Sequence, residues 1–114
     1  MKIKSSQQLE ERIKNKTAKL GIVGLGYVGL PLAVAFSQAG FKVLGVDKQQ
    51  KRVDSVNKGH SYIASIGSDN LSAVIASNLL QATTAQNRLR EVDAICICVP
   101  TPRNQKKRLV SYFR

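Results

Sequence analysis

Residues 19–29 read Lys19-Leu20-Gly21-Ile22-Val23-Gly24-Leu25-Gly26-Tyr27-Val28-Gly29. An apolar run of strand length ends in glycines spaced G-x-G-x-x-G, and a stretch rich in Ala, Leu, Val and Phe continues to Ala39. Strand, glycine turn and helix, in that order, are the context that gives this spacing meaning. Gly24 permits a tight turn, Gly26 lets backbone approach a diphosphate with no Cβ in the way, and Gly29 lets the helix pack closely on the strand. The helix N-terminus adds N–H groups that have no helical acceptor and the positive end of the dipole.

The pattern extends outward from this stretch. Pro31 falls early in the helix, where a missing N–H costs little, and Gly40 is a natural stop. Phe41 to Val46 reads as a second strand ending at Asp47. A polar helix over 49–57 buries Val53 and Val56 and stops at Gly59. After a loop over 60–68, a helix over 70–77, capped by Ser68 or Asp69, has Leu71, Val74 and Ile75 as its apolar stripe. Residues 79–83 read as a short third strand, 86–90 as a helical turn, and 93–99 as a fourth strand, apolar on both faces and stopped by Pro100. Strands alternating with helices form right-handed crossovers and a parallel sheet. The expected class is α/β, a Rossmann-like sheet of order 3-2-1-4 with an incomplete second half.

Asp47 stands about 20 residues after the glycines, at the end of the second strand. A carboxylate there accepts hydrogen bonds from both hydroxyls of an adenosine ribose and repels a 2′-phosphate, so the expected cofactor is NAD rather than NADP. Lys48 beside it partly offsets that repulsion. The same carboxylate could cap the following helix, alone or as well as binding the ribose.

The run Ile22 to Ala33, with its Gly-Tyr-Val-Gly-Leu-Pro-Leu-Ala core, resembles the opening signature of the UDP-glucose/GDP-mannose dehydrogenase family. The resemblance continues through Val46-Asp47, Asn57-Lys58-Gly59 and Val99-Pro100-Thr101-Pro102, and so covers residues 18–102. Gly59 to Ile63, Ala82 to Thr84 and Ile97 to Pro102 are similar to the branch that oxidises UDP-N-acetylglucosamine or UDP-N-acetylgalactosamine. The resemblance implies a cofactor-binding set of Gly24, Gly26, Tyr27, Val28, Gly29, Asp47, Lys48, Val99, Pro100 and Thr101, with Thr101 near the nicotinamide. It also implies a full-length, homo-oligomeric enzyme that oxidises the C6 alcohol of a UDP-sugar to a uronate with two NAD. That oxidation runs through an aldehyde and a cysteine thioester, and its products feed surface polysaccharide.

Departures from the family pattern begin at Arg103. Residues 103–110 lack the family's Pro-Asp, and Ser111-Tyr112 is at most an echo of the Ser-Tyr that the family carries after that pair. The family's glutamate, lysine, asparagine and nucleophilic cysteine lie further along, so no catalytic residue is assigned. The chain is expected to bind NAD without turning over a substrate alone, as the first part of a longer enzyme. The alternative is a non-catalytic NAD-binding module or partner subunit. Cys96 and Cys98 share a strand face and read as buried small hydrophobes, not as a disulfide or metal site. His60 reads as a solvated loop residue. The fourth strand is expected to lie at the sheet edge, where its unpaired backbone groups invite low solubility or self-association.

The net charge of +11 is mostly terminal. Residues 1–19 hold six bases against two acids, residues 103–114 five bases and no acid, and the middle seven against five. A nucleic-acid reader more often shows a basic stripe across its folded body, so no specific nucleic-acid partner is expected. The expected organisation is a surface helix within 1–17 carrying Leu9 and Ile13, a cofactor domain over 18–102 and a basic tail over 103–114. No apolar stretch approaches a bilayer's roughly 20 residues and no signal-peptide pattern opens the chain, so the expected location is the cytoplasm, with no membrane partner.

Overall fold

Strand β1 (Lys19–Val23) lies mid-sheet, flanked by parallel partners β2 (Lys42–Val46) and β4 (Ala94–Pro100). In this computed structural model the described residues are Glu11, Lys14, Asn15, 17–100 and 107–113, of which 99, 100 and 107–113 are described in backbone only. The helix expected within 1–17 lies largely outside them. Glu11 and Lys14 are helical, and Asn15 N–H donates to Glu11 O at 2.9 Å.

The sheet order is β3-β2-β1-β4-β5, with β3 at Leu80–Thr83 and β5 at Lys107–Phe113. The first four strands are parallel and follow the expected 3-2-1-4. Local sequence pattern does not reveal β5 in the basic C-terminal segment. It runs antiparallel to β4, from Ala94 opposite Phe113 to Pro100 opposite Lys107. The open edge expected for β4 is therefore paired. An antiparallel edge strand on a parallel sheet is a common arrangement.

Both sheet faces are apolar because successive strand residues point to opposite sides. Ile22 and Val43 belong to the larger core, which α1 (Gly29–Gln38), α2 (Gln50–Asn57) and α3 (Ser68–Ala76) cover with Leu30, Ala33, Val34, Val53, Val56, Leu71 and Val74. Leu44, Val46 and Ile95 belong to a smaller cluster on the other face. There Val92, together with Leu89 of the 3-10 turn Gln86–Glu91, packs against them.

Helices α1, α2 and α3 end in the same way. The N–H groups of Gly40, Gly59 and Asn78 donate to the carbonyls of Ser37, Val56 and Ile75, and the next residue donates five back, as in Phe41 to Phe36. This is the Schellman arrangement, which needs a left-handed residue. Asn78 takes that role with φ 62°, directly after the C-cap Ser77, the residue at which the helix expected from the sequence ends. The start of α3 also differs from expectation. Its N-cap residue is Gly67 and no side chain caps it, so Ser68 and Asp69 fall inside the first turn. Ser68 Oγ instead accepts Ser61 N–H at 3.1 Å. Neither Cys96 nor Cys98 is in a disulfide.

Candidate functional site

β1 delivers the chain into the glycine turn. Gly24 adopts φ 95° and its N–H donates to Val46 O at 2.8 Å, tying the turn to the end of β2. That backbone angle suits glycine alone, and a Cβ there would also overlap the Cys98 carbonyl. Gly29 is tight for a different reason: a Cβ on it would run into the carbonyl of Gly24, so the helix can start only against a bare Cα. Gly26 differs from both. A Cβ there would meet nothing closer than Arg52 Nη1 at 3.8 Å. Neither packing nor φ demands glycine at 26, so the open space beside it is a cradle that a side chain would fill.

Leu25, between the first two glycines, is held at three points. Its N–H donates to Asp47 Oδ2 at 2.8 Å, and its carbonyl accepts the Tyr62 hydroxyl at 2.6 Å. Its side chain is fully buried on Gly45, where a Cβ would come within 2.8 Å of Leu25 Cδ2. With the N–H groups of Gly24 and Leu25 engaged, a diphosphate would use amides further along, toward the first turn of α1.

Asp47 is 7% exposed, which is low for a carboxylate. Its Oδ1 accepts Gln49 N–H at 2.8 Å, and its Oδ2 accepts Leu25 N–H and Arg52 Nη1, the latter at 3.3 Å. Burial works against its charge, but the two backbone donors and the Arg52 guanidinium outweigh it and hold the carboxyl below the ordinary carboxylate range. The N-cap of α2 is Gln49, so Asp47 makes an Asx-type bond two residues on rather than capping the helix. A carboxylate offers about four acceptor sites. Three are engaged, so gripping both ribose hydroxyls, as expected from the sequence, requires Arg52 to let go.

Arg52 is a site residue that the sequence motifs do not single out. It sits in the first turn of α2, where a cation opposes the helix dipole and where this helix carries no acid. That local conflict is the available signal, since such conflicts collect at functional sites. Its guanidinium lies 5.9 Å from the centre of the Tyr62 ring, a cation–π distance. Burial pushes the Tyr62 hydroxyl up to about 12 against the opposing charge of Arg52, with Asp47 adding to the rise, so the group remains a donor across the neutral range.

Beside these residues lies a cleft of about 390 Å³. Gly24, Gly26, Tyr27, Val28, Asp47 and Lys48 line it together, joined by Arg52, Gln86 and Cys98, which the sequence motifs leave unassigned. Gly29 lies behind it as a packing residue. Val99 and Pro100 end β4, with their backbones paired to β5, and Thr101 lies outside the described residues. Burial, with a smaller contribution from neighbouring Cys96, raises the Cys98 thiol and so disfavours its thiolate. His60 is exposed on its loop. Among the described residues no group of three His, Cys, Asp or Glu side chains could hold a metal ion, and no helix is long and apolar enough to cross a membrane.

A parallel sheet with a glycine turn at the start of its first helix and a carboxylate at the end of β2 defines a dinucleotide-binding domain of the Rossmann class. Comparison gives the particular family: residues 18–112 match the NAD binding domain of the UDP-glucose/GDP-mannose dehydrogenase family, and the chain belongs to that family. Its cofactor is NAD. The UDP-N-acetyl-D-mannosamine dehydrogenase of Campylobacter jejuni is 44% identical over 89 residues, which are 77% of this chain and 21% of that protein. The ternary-complex structure of GDP-mannose dehydrogenase from Pseudomonas aeruginosa superposes with a TM-score of 0.70 at 33% identity, over 78% of this chain and 21% of that one. The UDP-N-acetyl-mannosamine dehydrogenase of Staphylococcus aureus gives 0.67 at 36% identity, over 76% and 21%. The chain thus spans about a fifth of the length of the relatives it matches. Two of these relatives are named for UDP-N-acetylmannosamine, an N-acetylhexosamine other than the two suggested by the sequence resemblance.

Proposed function

We propose that this chain is the NAD-holding part of a nucleotide-sugar dehydrogenase that oxidises the C6 alcohol of a UDP-N-acetylhexosamine to the uronate, using two NAD, for surface polysaccharide synthesis in the cytoplasm. The observation that carries the reading is the open cradle at Gly26 beside the buried Asp47 carboxylate. It fits a dinucleotide: the turn offers backbone room for a diphosphate and the strand end offers an acceptor for a ribose hydroxyl. When bound, NAD supplies the hydride acceptor. The chain's own residues do the holding. Asp47 takes a ribose hydroxyl through its remaining acceptor site and meets a 2′-phosphate with like charge. Arg52 and Lys48 lie on the same rim and moderate that repulsion. Amides at the start of α1, with the positive helix end behind them, face the diphosphate. Gly29, Val99, Pro100 and Thr101 complete the proposed set: Gly29 by close packing, Val99 and Pro100 at the end of β4, and Thr101 on the family resemblance alone.

The described residues supply the cofactor side of the reaction. The nucleophile, the UDP-sugar contacts and the homo-oligomer contacts belong, on this reading, to the longer enzyme. Calorimetric titration with NAD and NADP tests the assignment: heat with NAD that is much weaker with NADP supports it, and no heat with either overturns it. NADH formation from UDP-sugars by the purified chain would overturn the proposal that it does not turn over alone.

A further inference from the structure

We propose that Tyr62 is a positioning residue for the cofactor, its hydroxyl setting the direction in which the phosphate-binding turn presents the Gly26 amide. The inference rests on the reading of the cleft as an NAD site. Tyr62 approaches from 37 residues away in sequence, on the connection between α2 and α3, and its hydroxyl donates to Leu25 O at 2.6 Å. That carbonyl and the N–H of Gly26 belong to one planar, trans peptide unit, so they point in opposite directions. Whatever fixes the carbonyl of Leu25 therefore fixes the Gly26 N–H. Asp47 does the same for the preceding unit through Leu25 N–H. Two consecutive peptide planes of the turn are each pinned by one side chain from outside it.

The connection that carries Tyr62 is built to hold it. On one side Ser61 N–H donates to Ser68 Oγ, and Ser61 Oγ both donates to Ile63 O at 3.0 Å and accepts Ile63 N–H at 3.2 Å. On the other side Ile63 is buried in the main core. Arg52 lies near the Tyr62 ring while contacting Asp47. Tyr62, Arg52, Asp47 and Leu25 thus form a closed ring of contacts around the turn. Gly26 lines the cleft and Tyr62 does not, so the tyrosine acts through Leu25 rather than by touching the ligand.

The test is Tyr62→Phe, which removes the hydroxyl and keeps the ring beside Arg52. Three readouts are taken on the whole chain: amide hydrogen exchange, the Gly26 amide nitrogen resonance, and NAD affinity by calorimetry. The expected result is faster exchange confined to residues 24–29, a displaced Gly26 resonance, and NAD binding weakened about three- to ten-fold, the effect of one net hydrogen bond. Unchanged NAD affinity overturns the proposal even if exchange moves. So does a rise in exchange spread evenly over the chain, which would mark Tyr62 as general structural support. If the unsubstituted chain binds no NAD, it is the cofactor reading that fails. Exchange and the Gly26 resonance then still decide whether Tyr62 sets the turn.

Discussion

Asp47 Oδ2 lies 2.8 Å from the Leu25 nitrogen, a contact between residues 22 apart that joins the end of the second strand to the middle of the glycine turn. The carboxylate assigned to the cofactor's ribose therefore also shapes the loop assigned to its phosphates. Substitutions at Asp47 should consequently be read for both effects.

Asp47→Asn keeps the shape and removes the charge. One amide oxygen replaces two carboxylate oxygens, so either the Leu25 bond or the ribose bond weakens. Hydrogen bonds to charged groups are worth about 1.5–3 kcal/mol, so NAD affinity should fall by about ten- to a hundred-fold. NADP should lose less, because its 2′-phosphate no longer meets an anion, and the NAD/NADP preference should narrow. Calorimetry with both dinucleotides measures this, and an unchanged preference would remove Asp47 from the selectivity role.

Gly26→Ala and Gly29→Ala separate binding from packing. A Cβ at 29 collides with backbone that cannot move aside, so this variant should lose at least about 1–3 kcal/mol in urea unfolding. A Cβ at 26 has room in the free protein but occupies the cradle. That variant should unfold within about 0.5 kcal/mol of the parent and bind NAD much more weakly. Equal loss of stability in both would contradict the distinction.

Arg52→Ala removes a partly exposed ion pair, and such pairs contribute about 0–1 kcal/mol, so stability should hardly change. The Asp47 carboxyl should titrate higher than in the parent, since the guanidinium is one of the groups holding it down. It should stay below a carboxyl buried without donors, because the N–H groups of Gln49 and Leu25 remain. Carboxyl carbon NMR titration of the two proteins reads this directly, and a downward move would contradict the assigned cause.

Acid should loosen the site from the Asp47 side. The folded carboxyl lies below its ordinary value of 3.8, so the unfolded chain takes up that proton first as pH falls. Its contribution to stability is complete above the ordinary value and is lost as pH drops through the lower folded one. Within that window NAD affinity and the protection of the Leu25 amide should decline together. If binding collapsed well above pH 4 with the fold intact, another titrating group would be responsible.

Much of this molecule is legible along the chain. The order of strands and helices, the glycine turn and the acid at the end of β2 come from local rules: apolar runs of strand length, left-handed stops at Gly40 and Gly59, and the spacing of Gly24, Gly26 and Gly29. Each of these signals lies within a few residues of the structure it causes. The stop at Asn78 is less legible because asparagine adopts the left-handed conformation less readily than glycine. β5 is hidden because its strand-forming residues Leu109, Val110, Tyr112 and Phe113 follow Arg103, Lys106, Lys107 and Arg108, and that run of bases reads as tail.

Tertiary structure alone decided the wiring of the turn. Local spacing brought Asp47 and the glycines to the same end of the sheet, but it could not show that Leu25 is held between Asp47 and Tyr62, or that Arg52 bridges those two side chains. These contacts join residues 22 and 37 positions apart. They exist only once parallel strands have placed the ends of β1 and β2 together and the connection after α2 has folded back over them. Hydrogen bonds act over about 3 Å, and such distances between remote residues are set by packing, which no local pattern records.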